Sequence, residues 1–337
     1  MARTYGIAVI GTGDMGNRHI AGWQALGHRV VSVTDVDPVR ANEAAARFGV
    51  DTVHADYADA VADRRVDIVS ICLPLAFHAP VTIAAARHGK HILCEKPLAR
   101  SFGEVAAMEA AVRDAGVTFG LGLQRNLAEG VGVLRELAAN GEFGRPMVFS
   151  ADLLQEVRPK RAMHDRHGNN GPLMDAGLHY FMMWQTVFRS KPKAVYAQGR
   201  ILAMDRPEVA GFEQLAIDTA VVTVEFESGD VATITVSWGL AAGSQMRGHG
   251  DRVFGPKGGA QGDVNRELRM FRGDRVETLA IEPKDLHEVE FAAFVDALER
   301  GKEPPSGFVA GKEMLALTQA MLRSIDSGKV EKVSYDF

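Results

Sequence analysis

Short unbroken apolar runs punctuate the first part of the chain, at residues 7–10, 30–34, 68–72, 91–94 and 118–122. Each is too short for a helix, and several are rich in β-branched residues, so they read as buried strands. The segments between them have helical character. One spans 15–26, one is opened by Pro38, and an alanine-rich one can begin at Pro80. A fourth carries Ser101 and Glu104 at the spacing of a capping box. Strands that stay apolar rather than alternating are covered on both faces, and right-handed crossovers through helices then give a doubly wound parallel sheet. The rhythm changes after Asn126. A helix over 128–139 ends at Gly141, and longer alternating strands follow at 148–154, 195–202, 219–226 and 231–236, the last two joined by a hairpin at Ser228-Gly229. Helices return at 286–299 and 309–326. The expected fold class is therefore α/β: an N-terminal doubly wound parallel sheet over 1–125, then a C-terminal α+β domain over 126–337 on a mostly antiparallel, open-faced sheet, with the terminal helices free to pack back on the first domain. A half-apolar sheet face invites a second copy, so a homodimer or homotetramer through that sheet is expected.

Composition narrows the partners. A chain of 337 residues supports two cores, and 46% apolar with 24% charged residues is an ordinary globular balance. The net charge of -5 and the absence of a long basic run argue against nucleic acid and anionic membrane. The two cysteines, Cys72 and Cys94, fall near the ends of buried strands and read as reduced thiols. No apolar stretch is long enough to span a bilayer, and the start lacks a signal-peptide core. The expectation is a cytoplasmic protein acting on something small.

The candidate chemistry begins at Gly11-Thr12-Gly13-Asp14-Met15-Gly16, a G-x-G-x-x-G directly after the first strand and opening the first helix. Gly11 permits the tight turn, Gly13 lets backbone approach a pyrophosphate, and Gly16 lets the helix pack on the strand, while the helix N-terminus offers free N–H groups. Asp35 closes the second strand 19 positions after Gly16 (35 − 16). A carboxylate there accepts from ribose hydroxyls and repels a 2′-phosphate, so the cofactor expected is NAD, with NADP less favoured. Glu95-Lys96-Pro97 lies at the C-terminal end of the strand 91–94, the edge where such sheets hold ligands. The cofactor set also takes in Leu73, Pro74, His78, Glu95, Lys96 and Gln124.

Further along, Pro172 suits a first helical turn with Asn169 or Asn170 as its cap, and Asp175 and His179, four apart, fall on one helix face. A carboxylate and an imidazole so placed make a proton-transfer pair. The polar loop from Arg158 through His164 and His167 to Asn169 and Asn170 suits a polyhydroxylated ligand, as do Arg125 and Asn126. Recast as a metal site, His164, His167, Asp175 and His179 fit no common zinc spacing, and no metal is expected.

Three motifs in order, Gly11-x-Gly13-x-x-Gly16, Glu95-Lys96-Pro97 and Asp175-x-Gly177-x-His179, resemble the family of glucose-fructose oxidoreductase, inositol dehydrogenase and the MocA proteins (Gfo/Idh/MocA). The resemblance extends over nearly the whole chain, including Gly255-Pro256-Lys257-Gly258 after a strand. It implies an NAD-dependent enzyme that interconverts a secondary alcohol of a sugar or polyol and its ketone. In that reading Lys96, Asp175 and His179 are catalytic: the lysine polarises the hydroxyl, the histidine is the acid/base and the aspartate supports it. Relatives that handle inositols often carry an aromatic or acidic residue after the matching arginine, where this chain has Asn126-Leu127. Two other readings are a cofactor-binding sensor without turnover, and an enzyme that oxidises, eliminates a glycosidic substituent and re-reduces while recycling its NAD.

Overall fold

Six parallel strands form the first sheet: β1 (Gly6–Ile10), β2 (Arg29–Thr34), β3 (Thr52–His54), β4 (Ile68–Ile71), β5 (His91–Glu95) and β6 (Phe119–Gly122), in the order β3-β2-β1-β4-β5-β6. The strand order reverses between β1 and β4, and such a switch point opens a crevice at the C-terminal ends of the strands. The computed structural model describes residues 3–157, 164–166, 168, 170–248 and 250–337. Its chain divides into two units, one of Met1–Gln124 with Asp285–Leu315, the other of Arg125–Lys284 with Ala316–Phe337.

In the first unit the crossovers are α1 (Asp14–Ala25), α2 (Pro38–Phe48), α3 (Tyr57–Ala62), α4 (His78–Arg87) and α5 (Phe102–Ala115). β1, β4 and β5 are buried almost throughout, as strands covered on both faces must be. Pro38 stands at the first turn of α2, and the Asp37 side chain caps it by accepting from the Val39 N–H. The capping box expected at Ser101 is half formed. Ser101 Oγ accepts from the Glu104 N–H at 3.2 Å, but the Glu104 carboxylate turns to the backbone and guanidinium of Arg100 rather than back to Ser101. β3 and α3 carry no apolar run in the sequence, because β3 is a three-residue edge strand with partly exposed side chains.

The same unit takes in α9 (Leu286–Glu299), a helix from far along the chain. Phe291 of α9 stacks on Trp23 of α1, ring centroids 4.5 Å apart and planes 12° off parallel. A methyl group at Gly22 would sit 2.7 Å from the Phe291 ring, so glycine allows the two helices to close. Trp23, Phe291 and Phe294 join Ile7, Val9, Ile20 and Ile68 in one core.

In the second unit nine strands pair in the order β14-β13-β12-β11-β7-β10-β9-β8-β15, from β7 (Val148–Glu156), β8 (Pro192–Arg200), β9 (Thr219–Phe226), β10 (Val231–Leu240), β11 (Asp251–Gly255), β12 (Gly258–Asp263), β13 (Glu267–Arg272), β14 (Arg275–Ala280) and β15 (Glu331–Lys332). Only β10 with β7 is parallel; the other pairs are antiparallel. Along β9 the buried residues Ala220, Val222, Val224 and Phe226 alternate with the exposed Val221, Thr223 and Glu225, so one face packs and one lies open. The remaining helices are α6 (Glu129–Ala139), α7 (Gly171–Asp175), α8 (Gly177–Phe188) and α10 (Phe308–Ser327), the last counted with the first unit up to Leu315 and with the second from Ala316. Phe181, Trp184 and Phe188 of α8 meet Phe149 and Phe226 on the covered face. The meander β11–β14 is absent from the hydrophobic pattern, as is the two-residue β15: β12 is half glycine and β14 is almost wholly exposed, so neither alternates.

Candidate active site

The glycine loop between β1 and α1 fits a dinucleotide on local grounds. Gly11 has φ +94°, and a methyl group there would lie 2.3 Å from the Cys72 carbonyl oxygen. At Gly16 it would lie 1.8 Å from the Gly11 carbonyl oxygen, while at Gly13 it would meet nothing within 4 Å. So two glycines let the backbone close on itself, and the third leaves open the place where a phosphate approaches. Gly13 caps α1 with no side-chain hydrogen bond, which leaves the first N–H groups of the helix for an anion. Asn17, not singled out from the sequence, braces the loop by donating to the carbonyls of Thr12 (2.8 Å) and Gly13 (2.9 Å). Asp14 and Met15 open the helix, Asp14 exposed and Met15 half-buried.

Asp35 closes β2 beside this loop. Its Oδ2 accepts from Thr12 N (2.8 Å) and Thr12 Oγ1 (3.0 Å), and its Oδ1 from Asp37 N (2.9 Å) and Arg40 Nη2 (3.1 Å). Burial alone would raise its pKa, but the hydrogen bonds from Asp37 and Thr12 and the Arg40 charge outweigh it and hold the carboxyl below its ordinary value. Arg40 is the most exposed of these partners and the easiest for a ribose hydroxyl to displace.

Leu73 and Pro74 follow β4, Leu73 half-buried and Pro74 exposed. His78 is buried, with Nε2 at 2.8 Å from the Leu73 carbonyl and Nδ1 at 2.6 Å from that of Pro97. It therefore ties the loop after β4 to the turn after β5. That turn holds Lys96, half-buried, before a cis Lys96–Pro97 bond. Gln124 faces His287 of α9, side-chain nitrogens 3.3 Å apart. Loop glycines, Asp35, Leu73, Lys96 and Gln124 thus follow β1, β2, β4, β5 and β6 and share one sheet edge.

In the second unit Asp175 and His179 do not lie on one continuous helix. α7 ends at Asp175, Ala176 is the joint and α8 begins at Gly177, with the His179 N–H donating to the Ala176 carbonyl at 3.3 Å. The joint stays near helical dihedrals, with a tightened turn between the two residues. Asn170 occupies the cap position of α7, but in the left-handed region (φ 57°) and with no side-chain cap bond. The capping role expected of it falls to geometry instead: a methyl group at Gly171 (φ +80°) would lie 2.1 Å from the Ile217 carbonyl oxygen, and this close approach sets the entry of the chain. His164 is buried, its ring edge-on to Phe212 at 6.4 Å. Arg158, His167 and Asn169 lie outside the described residues.

Arg125 is committed to Asp251 at 2.5 Å and stacks over Tyr180 at 4.8 Å. Burial pushes the Asp251 carboxyl up against the pull of Arg125. These three line a cavity of about 310 Å³ with Asp152, Gln155, Glu156 and Asp263, a polar wall of alternating donors and acceptors. Asn126 follows, half-buried. Asp251, Tyr180 and the β7 carboxylates were not legible as site residues, since nothing in their spacing links them to Arg125.

Comparison with known proteins supplies the rest. Residues 5–123 match the family model described as an oxidoreductase family with an NAD-binding Rossmann fold, and residues 131–261 match the Gfo/Idh/MocA C-terminal domain. The uncharacterized oxidoreductase YrbE of Bacillus subtilis is 30% identical over 326 residues, covering 93% of each chain. The chain belongs to the Gfo/Idh/MocA family. The myo-inositol 2-dehydrogenase of Thermotoga maritima is 28% identical, over 97% of this chain and 99% of its own. A crystal structure of a probable dehydrogenase from Thermotoga maritima superimposes with a TM-score of 0.79 at 25% identity, covering 97% and 98% of the two chains. The chain is thus a member of an oxidoreductase family with an NAD-binding Rossmann domain, which here spans residues 5–123. Among the described residues of this Gfo/Idh/MocA member, no helix is long and apolar enough to cross a membrane.

Proposed function

We propose that this protein oxidises a secondary alcohol of a sugar, inositol or similar polyhydroxylated compound to the ketone with NAD, or runs the reverse. The observation that carries the reading is Lys96 at the end of β5, on the same sheet edge as the glycine loop and Asp35. The loop from Gly11 to Gly16 and the N-terminus of α1 would hold the pyrophosphate, and Asp35 the adenosine ribose. A bound nicotinamide would supply the hydride acceptor for the carbinol carbon. Lys96 orients the substrate hydroxyl and stabilises negative charge on its oxygen. His179 takes the hydroxyl proton, and Asp175, one tight turn away, favours the imidazolium that results. The carbinol thereby loses a hydride and a proton and becomes a ketone. Arg125, Asn126, His164 and Asn170, with Arg158 and Asn169, complete the substrate set in this reading, and the polar cavity beside Arg125 suits a ligand with many hydroxyls. Production of NADH across a panel of sugars and inositols tests it: turnover with at least one is expected, and NAD binding without turnover on any would favour a sensor. Release of an aglycone without net NADH would favour oxidation followed by elimination.

NAD rather than NADP follows from Asp35, whose charge opposes a 2′-phosphate. Asp35→Ala should weaken NAD about 10- to 100-fold, the worth of a hydrogen bond to a charged group. It should weaken NADP less, because Arg40 would then face the 2′ position unpaired from Asp35. Dissociation constants for both nucleotides by NADH and NADPH fluorescence check this; a parent protein that binds NADP more tightly contradicts it.

We also expect the open face of the second sheet, where Val221, Tyr196 and Phe254 are exposed, to be covered by a second copy of the chain. Light scattering on the purified protein should give at least a dimer, and Val221→Glu with Tyr196→Glu should shift it toward the monomer; a monomeric parent would remove this expectation.

A further inference from the structure

A line of buried polar groups leads to Lys96, and of its members only Glu95, named above with the cofactor set, has been given a role. Trp23 Nε1 lies 3.1 Å from Ser70 Oγ, Ser70 Oγ 2.7 Å from His19 Nδ1, and His19 Nε2 3.1 Å from Glu95 Oε1. Trp23, Ser70 and His19 are inaccessible to solvent, and Glu95 nearly so. The donors and acceptors fix the direction of the line. An indole N–H can only donate, so Ser70 Oγ accepts from it, and with His19 neutral the hydroxyl proton turns to His19 Nδ1. His19 Nε2 then carries the proton donated to Glu95. The other carboxylate oxygen, Oε2, accepts from the backbone N–H of Lys96 at 3.2 Å. β6 makes room for this group: a methyl at Gly122 would sit 3.2 Å from the Glu95 carboxyl, tighter than ordinary contact. An apolar residue at position 95 would fill the space without any of these partners, so the fold spends four polar side chains to seat one buried charge next to Lys96.

We propose that Glu95 is a positioning residue for Lys96: a carboxylate fixed by the Trp23–Ser70–His19 line that clamps the Lys96 peptide and keeps its ammonium charged. The proposal builds on the reading of Lys96 as the residue that polarises the substrate hydroxyl, since that task needs a cation. The other titratable groups around Glu95 are His287 and Glu290 from α9, His78 from α4, and the thiols Cys72 and Cys94. Burial pushes both thiols and the Glu290 carboxyl well up and His78 and His287 down, so these neighbours tend to their neutral forms. Burial works against the Glu95 anion too, but the His19 hydrogen bond and the Lys96 charge pull its carboxyl down against it. Glu95 is thus the anion of the cluster, and Lys96 is the cation whose backbone it holds.

The test reads Lys96 without a substrate. Trace acetylation with acetic anhydride over a pH series, followed by peptide mass spectrometry, reports the fraction of neutral amine at each lysine, with the exposed Lys257 as internal standard. Glu95→Gln keeps the shape and removes the charge. It should move the Lys96 midpoint down by about one pH unit, which is a tenfold faster acetylation below the midpoint, while Lys257 does not change. His19→Ala should move it the same way and His19→Gln, whose amide can accept from Ser70 and donate to Glu95, should restore it. A Lys96 midpoint unmoved in Glu95→Gln overturns the proposal, as does an equal shift at Lys257. Because labelling needs no turnover, this result stands apart from the role of Lys96 in the reaction, which the loss of activity in Lys96→Met decides.

Discussion

His179→Ala should lower kcat by about 10²- to 10⁴-fold, the range that a positioned acid or base contributes, while the affinity for NAD stays within about twofold of the parent, a change of well under 1 kcal/mol. The split follows from where the residue lies in the chain. His179 stands in the first turn of α8, in a different unit from the glycine loop and Asp35, so removing its ring takes nothing from the nucleotide side. It does take away the acceptor for the hydroxyl proton. A base must be neutral to take that proton, so whatever acid limb the parent shows in kcat should be absent from His179→Ala. Steady-state kinetics over a pH series together with NADH fluorescence titration measure both halves. A variant that turns over normally, or one that loses NAD instead, would show that the proton goes elsewhere.

Lys96→Met should cost kcat about 10²- to 10³-fold, the typical worth of one preorganised group that stabilises an oxyanion. Methionine matches the aliphatic stem and removes only the ammonium, so the turn at Pro97 and the backbone hydrogen bond to Glu95 should survive. Lys96→Arg should recover little: a planar guanidinium is a wider, fixed fork and cannot replace a point charge at the end of a flexible stem. The loss should fall on kcat more than on KM, because the charge on the oxygen grows as the hydride leaves and the ground-state hydroxyl has little to offer a cation. If KM alone rises, Lys96 holds the substrate without taking part in the chemical step.

What could be read from the sequence was what local pattern dictates. The parallel sheet was legible because its strands are apolar without alternation, and the glycine loop because Gly11 and Gly16 meet steric demands that no other residue meets. The hairpin of β9 and β10 was legible from its alternation and from Gly229, which takes φ +81°. The pairing of Asp175 with His179 was legible as a spacing, though the break at Ala176 was not, since alanine gives no sign of a joint. The exposed meander β11–β14 left no periodic trace. Neither did groups brought together only by tertiary contact. His19, Ser70, Glu95 and His287 lie on four separate elements, or at their ends, and although Glu95 was legible beside Lys96, nothing in the spacing links it to the other three. Arg125 and Asp251 are 126 positions apart and meet only because β11 pairs beside β7.

The central claim is a direct hydride transfer from a carbinol carbon to NAD. It is tested most directly by incubating the protein and NAD with sugars and inositols deuterated at their carbinol carbons, then weighing the reduced nucleotide. The expected result is reduced nucleotide carrying a single deuteron, with the matching ketone formed in equal amount. Deuterium appearing in water, or a nucleotide that stays oxidised while every substrate in the panel is bound and released intact, would contradict it.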